Sequence, residues 1–229
     1  MKAYEDKTTL SQMRRDLRYT RGVLLAAGVH EVEQREVQKL FERAKALDGE
    51  LTDAGDAIVD ANALVAWRDG VLDRCIGRFG LDALHAAGGD RDDVRFKGFF
   101  REAPGDYVRL GLESEIEQTA HFQEVAREVV LPKGAQTSLA AVEAARAEGT
   151  KAIKAREGAV KAEAVLRLRV LRLRDDANAV RRSVYNSLER YAIDKKLEDS
   201  YADTFFARAA KKPAKKSAAR AKRIDDGNT

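Results

Sequence analysis

Thirteen positions of one stretch, Val37, Leu40, Ala44, Leu47, Leu51, Ala54, Ile58, Ala61, Val65, Arg68, Leu72, Cys75 and Phe79, follow one another in steps of three and four residues, and only Arg68 is not apolar. This is a heptad seam sustained over about six heptads, and a helix that carries one must bury it against other helices. The chain is therefore expected to be all-α: an elongated antiparallel helical bundle or coiled coil of two long and two short helices.

Punctuation residues divide the chain around that seam. Thr8 or Thr9 can cap a first short helix, in which Leu10, Met13, Leu17, Thr20, Leu24 and Ala27 keep the rhythm and Gly28 is the natural stop. One long helix is expected from His30 to Ala87, completing a first segment over 1–92. Periodicity fails over 93–110, where Phe96, Phe99, Phe100 and Tyr107 surround the Pro104-Gly105-Asp106 turn. Apolar residues in a connector must pack on something, so these rings are expected to plug one end of the bundle; a short hairpin, Val94 to Phe100 with Tyr107 to Leu110, is the alternative. A second segment, 111–207, is expected to hold a short helix from Leu112 through Val129, stopped at Pro132-Lys133-Gly134, then a long helix from Gln136 to Asp199. Within it, Val165 to Arg174 alternates almost as a strand would, but helical pattern continues on both sides without a turn signal. The segment is assigned to helix, its apolar face bordered by Arg167, Arg169, Arg172 and Arg174.

A charged fraction of 35%, with three prolines and 7% aromatics, suits long solvent-exposed helices. No window approaches the ~18 uninterrupted apolar residues that a membrane span requires, and the first residues lack the apolar run of a secretory signal. A cytoplasmic protein is expected. The single cysteine, Cys75, lies on the seam and has no disulfide partner in the chain, so it is expected to be a small buried hydrophobe.

No catalytic, metal or nucleotide signature is present. The three histidines, His30, His85 and His121, are far apart in sequence. A di-iron bundle site would need inward carboxylates and two Glu-x-x-His pairs, and the nearest approach is a single Asp82-x-x-His85. Asp90, Asp92 and Asp93 lack the alternating ligands and closing Glu of a calcium loop, and Gly77-Arg-Phe-Gly80 lacks the strand and the further glycines of a phosphate-binding turn. No cofactor, metal or catalytic residue is expected, and the chain is not expected to be an enzyme. Arg68 is either a register-setting ion on the seam or a residue at a splay in the helices whose head reaches water. The arginines from Arg167 to Arg174, with Arg181 and Arg182, are expected to pair with acidic residues of neighbouring helices, an anionic-ligand face being the second reading.

One segment has a composition that implies a partner. From Arg208 to Thr229, eight basic side chains (Arg208, Lys211, Lys212, Lys215, Lys216, Arg220, Lys222 and Arg223) outweigh Asp225 and Asp226, so this tail carries +6 and, against +4 for the whole chain, leaves −2 for the rest. Between Ala210 and Arg223 it has no aromatic or large apolar residue, and 208–229 is expected to be a disordered basic tail. Its Lys/Ala/Pro pattern resembles the tails of linker-histone-like proteins, a compositional likeness that brings no site with it. Those eight residues are the candidate contacts to nucleic acid, sequence-independent and salt-sensitive, with an anionic membrane surface, or a tail that only solubilises, as the other readings. The sequence thus suggests a non-enzymatic scaffold or adaptor that forms a homo-oligomer and touches nucleic acid through its tail. The alternative is a helical component of a phage, secretion or cytoskeletal assembly that docks a protein partner and in which the tail is incidental.

Overall fold

The structure, a computed structural model, describes residues 3–207; the tail expectation, with all eight of its basic residues, lies outside them. The described residues are all-helical, with two long helices and no strand. In order they are α1 (Leu10–Ala27), α2 (Glu31–Ala86), α3 (Val94–Lys97), α4 (Pro104–Tyr107), α5 (Leu112–Gln118), α6 (Phe122–Glu128), α7 (Lys133–Asp194) and a 3-10 turn at Ala202–Phe205. The chain divides into two compact units, and both long helices contribute to each. Among the described residues one unit is built from 3–44 and 174–207, the other from Lys45–Leu173.

In the first unit the boundaries of α1 follow the local chemistry. The Thr9 hydroxyl accepts the Gln12 N–H at 3.2 Å, and Gly28 ends the helix in the left-handed conformation (φ 67°), donating its N–H to the Leu24 carbonyl. Met13, Leu17 and Leu24 are buried, as are Val37 and Leu40 of α2 and Ala177, Val184 and Leu188 of α7. The residues before α1 are fastened to α7: the Tyr4 N–H donates to Asn178 Oδ1 at 2.7 Å, and Arg174 donates to the Asp6 carboxylate and to the carbonyls of Asp6 and Thr8. His30, at the start of α2, shares a 3.0 Å hydrogen bond with the Tyr201 hydroxyl and lies edge-on to Tyr191 and Phe205.

In the second unit the rings of the connector form the core. Phe99 and Phe122 meet Phe79 of α2 at 5.0 and 5.5 Å between centroids, and Phe100 sits 5.1 Å from Phe122 and 5.5 Å from Tyr107. The hairpin alternative is replaced by two four-residue helices. Asp93 caps α3 by accepting the Arg95 N–H at 2.7 Å, and Pro104 opens α4, where its missing N–H costs no hydrogen bond. Gly80 lets α4 approach, since a Cβ there would stand 2.7 Å from Pro104 Cγ.

Two boundaries differ from expectation. The single helix from Leu112 to Val129 is two, α5 and α6, separated at Thr119–His121. The Thr119 hydroxyl turns back to the Glu115 carbonyl at 2.6 Å, and the His121 ring donates to the Phe99 carbonyl at 3.1 Å. Thr119 and Phe122 are both fully buried, so apolar spacing runs on across the break and hides it. The last long helix runs from Lys133 to Asp194 rather than from Gln136 to Asp199: Pro132 leads into it, and it ends early because Lys196 takes the left-handed conformation (φ 53°) and the Leu197 N–H turns back to the Ala192 carbonyl.

The seam of α2 is buried unevenly. Leu47 and Leu72 are buried, but every seam residue from Leu51 to Arg68 is only half-buried, which is what one facing helix leaves where several would bury it fully. Two ion pairs fix the direction of that facing helix: Arg169 of α7 binds Glu50 of α2, and Arg68 of α2 binds Glu148 of α7 at 3.0 Å. Rising numbers on one match falling numbers on the other, so α2 and α7 run antiparallel here.

Candidate functional site

The most unusual electrostatic feature of the second unit is a group of three carboxyls. Asp69 and Asp73 stand one turn apart on α2, and Glu115 reaches them from α5. Glu115 is completely buried, and neither of its oxygens has a hydrogen-bond donor among the described residues; one oxygen each of Asp69 and Asp73 is in the same position. Burial first, then the hydrogen bond to Asp73 and the charges of Asp73 and Asp69, push the Glu115 carboxyl up from 4.5 to about 8. Burial and Asp73 likewise raise Asp69, against the pull of the Leu112 N–H at the start of α5. Two ionised carboxylates offer each other no donor. A proton held by Glu115 supplies the donor that two carboxylates lack, in keeping with the raised value of this group.

The neighbourhood is tightly packed. Gly149 of α7 lies against α5 so closely that a Cβ would stand 2.9 Å from Leu112 Cδ1 and 3.0 Å from Ile116 Cδ1. Arg146 of α7 donates to the Ile116 carbonyl at 3.3 Å and is held by Glu143 at 2.8 Å. An open cleft of about 340 Å³ adjoins the α5 N-terminus, lined by Val65, Leu110, Gly111, Ser114 and Arg156 among others. Among the described residues no three acidic, histidine or cysteine side chains are arranged to hold a metal ion.

The second feature is the exposed surface of α2 and α7 where each is covered mainly by the other. From residue 46 to 67, α2 carries five acidic side chains and no basic one; from 151 to 172, α7 carries seven basic and two acidic ones. Asp53, Asp56, Asp60, Ala63 and Trp67 step by three and four along the side of α2 away from its seam, and Lys154, Gly158, Lys161, Val165, Leu168 and Arg172 do the same on α7. Val59 and Trp67 on α2, with Val165 and Leu168 on α7, are more than half exposed. Asp53, Asp56, Asp60, Lys154 and Arg172 make no salt bridge among the described residues.

The other candidates differ in their partners, and Arg172 of the arginine ladder has no salt bridge among the described residues. Arg68 pairs with Glu148 across the seam while its own side chain stays 30% exposed, so it is a paired ion near water. Of the arginine ladder, Arg167 pairs with Glu163, Arg169 with Glu50 and Arg174 with Asp6, and Arg181 donates to the Tyr4 hydroxyl at 2.6 Å with its guanidinium 4.4 Å from the ring. Burial pushes that tyrosine up to about 12 and raises the Cys75 thiol, although Cys75 is half-buried where its seam position predicted full burial. His30 belongs to the first unit, and His85 and His121 to the second. Asp93 is held down to about 2 by Arg95, as suits a helix cap.

Glu115 was not legible as special in the sequence. The available signal was Asp69 and Asp73 at i and i+4, a like-charged pair that weakens an isolated helix and so asks for a compensating environment. Among the described residues no helix is long and apolar enough to cross a membrane. Comparison with protein-family models, with curated proteins and with solved structures found no match.

Proposed function

We propose that the chain is a non-enzymatic scaffold or adaptor that associates with itself, its helices working as an antiparallel bundle, and that the basic residues from Arg208 to Arg223 contact nucleic acid without regard to sequence. The observation that carries this reading is the pair of exposed, oppositely charged and partly apolar stripes on α2 and α7, which suit contact with another macromolecule and hold no convergent reactive groups. The fully buried Glu115 carboxyl fits the same reading, since packed helices enclose it.

The test has two arms. Sedimentation velocity of the full chain should show an oligomer, and duplex DNA should bind with an affinity that falls steeply with salt, the logarithmic slope approaching about −7 if all eight basic residues neutralise phosphates. Changing those eight residues to glutamine in the full chain should abolish DNA binding and leave the oligomer intact. A second reading is favoured by the apolar members of the stripes: a helical assembly component that docks a different protein, the tail being incidental. A monomeric chain whose weak DNA binding is unchanged by the glutamine substitutions selects that reading and removes the first.

A further inference from the structure

We propose that the exposed stripes of α2 and α7 form the self-association surface itself, and that its occupant is a second copy of this chain, docked about a two-fold axis parallel to these helices so that α2 of each copy packs on α7 of the other. The proposal rests on the self-association reading above and adds the surface, the pairing and the symmetry.

Charge decides the occupant. The stretch 46–67 of α2 is acidic throughout and 151–172 of α7 is predominantly basic, so each copy carries both halves of a complementary pair. A two-fold axis along the helices exchanges the positions of α2 and α7 without changing their height. Every interhelical neighbour is then antiparallel and of opposite charge, in the alternating arrangement of a four-helix bundle. An axis across the helices would set α2 on α2 and α7 on α7, with like charges facing along the whole contact. The register follows from the pairs within one copy. Because Glu50 is level with Arg169 and Arg68 with Glu148, the same height places Asp56 of one copy beside Lys161 of the other and Asp48 near Arg172. Among the described residues Asp53, Asp56, Asp60, Lys154 and Arg172 have no salt bridge to give up, and the one from Lys161, to Glu157, is long at 3.9 Å on the same helix. Val165 and Leu168 supply apolar area beside the charges, as at the centre of an interface whose rim is ionic.

The experiment uses full-length protein in two charge-reversed forms, Asp53→Lys/Asp56→Lys/Asp60→Lys on α2 and Lys154→Glu/Lys161→Glu/Arg172→Glu on α7, with far-UV circular dichroism to check that helix content is kept. Each form alone should associate at least about 100-fold more weakly than wild type, because like charges then face each other. Mixed in equal amounts, the two should recover wild-type association as a heterodimer, visible by native mass spectrometry if one form carries a mass label. The mixing arm remains informative if one form is less stable by itself. Wild type that associates while both reversed forms associate equally well overturns this surface and leaves the self-association reading standing. Monomeric wild type removes both. Loss of DNA binding in the α7 form with its association intact assigns the basic stripe to a polyanion and overturns the proposal.

Discussion

Replacing Glu115 by glutamine should flatten the dependence of stability on pH. In the folded chain this carboxyl titrates at about 8, and its ordinary value is 4.5. Between those limits the folded state holds a proton that the unfolded state has released, so the unfolding free energy falls as pH rises through the window and levels off above about 8. Each unit of difference is worth 1.36 kcal/mol, which sets a ceiling of about 5 kcal/mol on the loss; local rearrangement that admits water to the carboxylate lowers it to about 2–4 kcal/mol. Glutamine keeps the shape and supplies an N–H donor to Asp73 but cannot ionise. At pH 5 the variant and wild type should differ by less than about 1 kcal/mol, one neutral donor replacing another. At pH 9 the variant should be the more stable by about 2–4 kcal/mol. Urea unfolding followed through Trp67 suits the measurement, since the sole tryptophan lies two residues from Asp69 and reports on the unit that contains the cluster. Stability curves for the two proteins that stay parallel from pH 5 to pH 9 would show that Glu115 is ionised in the native state and refute the shared proton.

Two further substitutions probe the packing. Gly149→Leu should destabilise the second unit by about 1–3 kcal/mol, because leucine would meet Leu112 and Ile116 where a Cβ alone comes within 3.0 Å, while Gly158→Ala on the same helix, with nothing within 4 Å, should stabilise by up to about 1 kcal/mol; thermal melts of both compare crowding with helix propensity. Arg174→Met should free the residues before α1 by removing the hydrogen bonds to Asp6 and Thr8, at a cost of about 1–3 kcal/mol, and amide exchange at Thr8 and Thr9 that stays as slow as in wild type would show that the Tyr4–Asn178 pair suffices to hold the segment.

Much of the helical order was readable because it depends on neighbours in sequence. Thr9 and Gly28 bound α1 through hydrogen bonds within a few residues, and the three-four rhythm marks α2 and the second half of α7 whatever packs on them. The connector shows how far that goes: its rings announce burial, but their spacing does not distinguish a hairpin from the turns of α3 and α4, since either conformation delivers Phe99 and Phe100 to Phe79. The division of 112–129 into α5 and α6 was invisible for a related reason. Phe122 keeps helical spacing from Thr119 although the backbone turns between them, and the bond that holds the turn runs from His121 to Phe99, a residue outside the segment.

The sequence by itself determined that the chain is helical, where its two long helices lie to within a few residues, and which stripe α2 must hide, because periodicity and caps act within a turn or two of the chain. It also determined the acidic character of one long helix and the basic character of the other. Only the tertiary structure decided that Glu115 meets Asp69 and Asp73 across 42 residues of chain or more, that Arg68 finds Glu148, and that the middle of the long seam is covered on one side alone. Those outcomes depend on the register between α2, α5 and α7, which close approaches such as the one at Gly149 set and which no local pattern encodes.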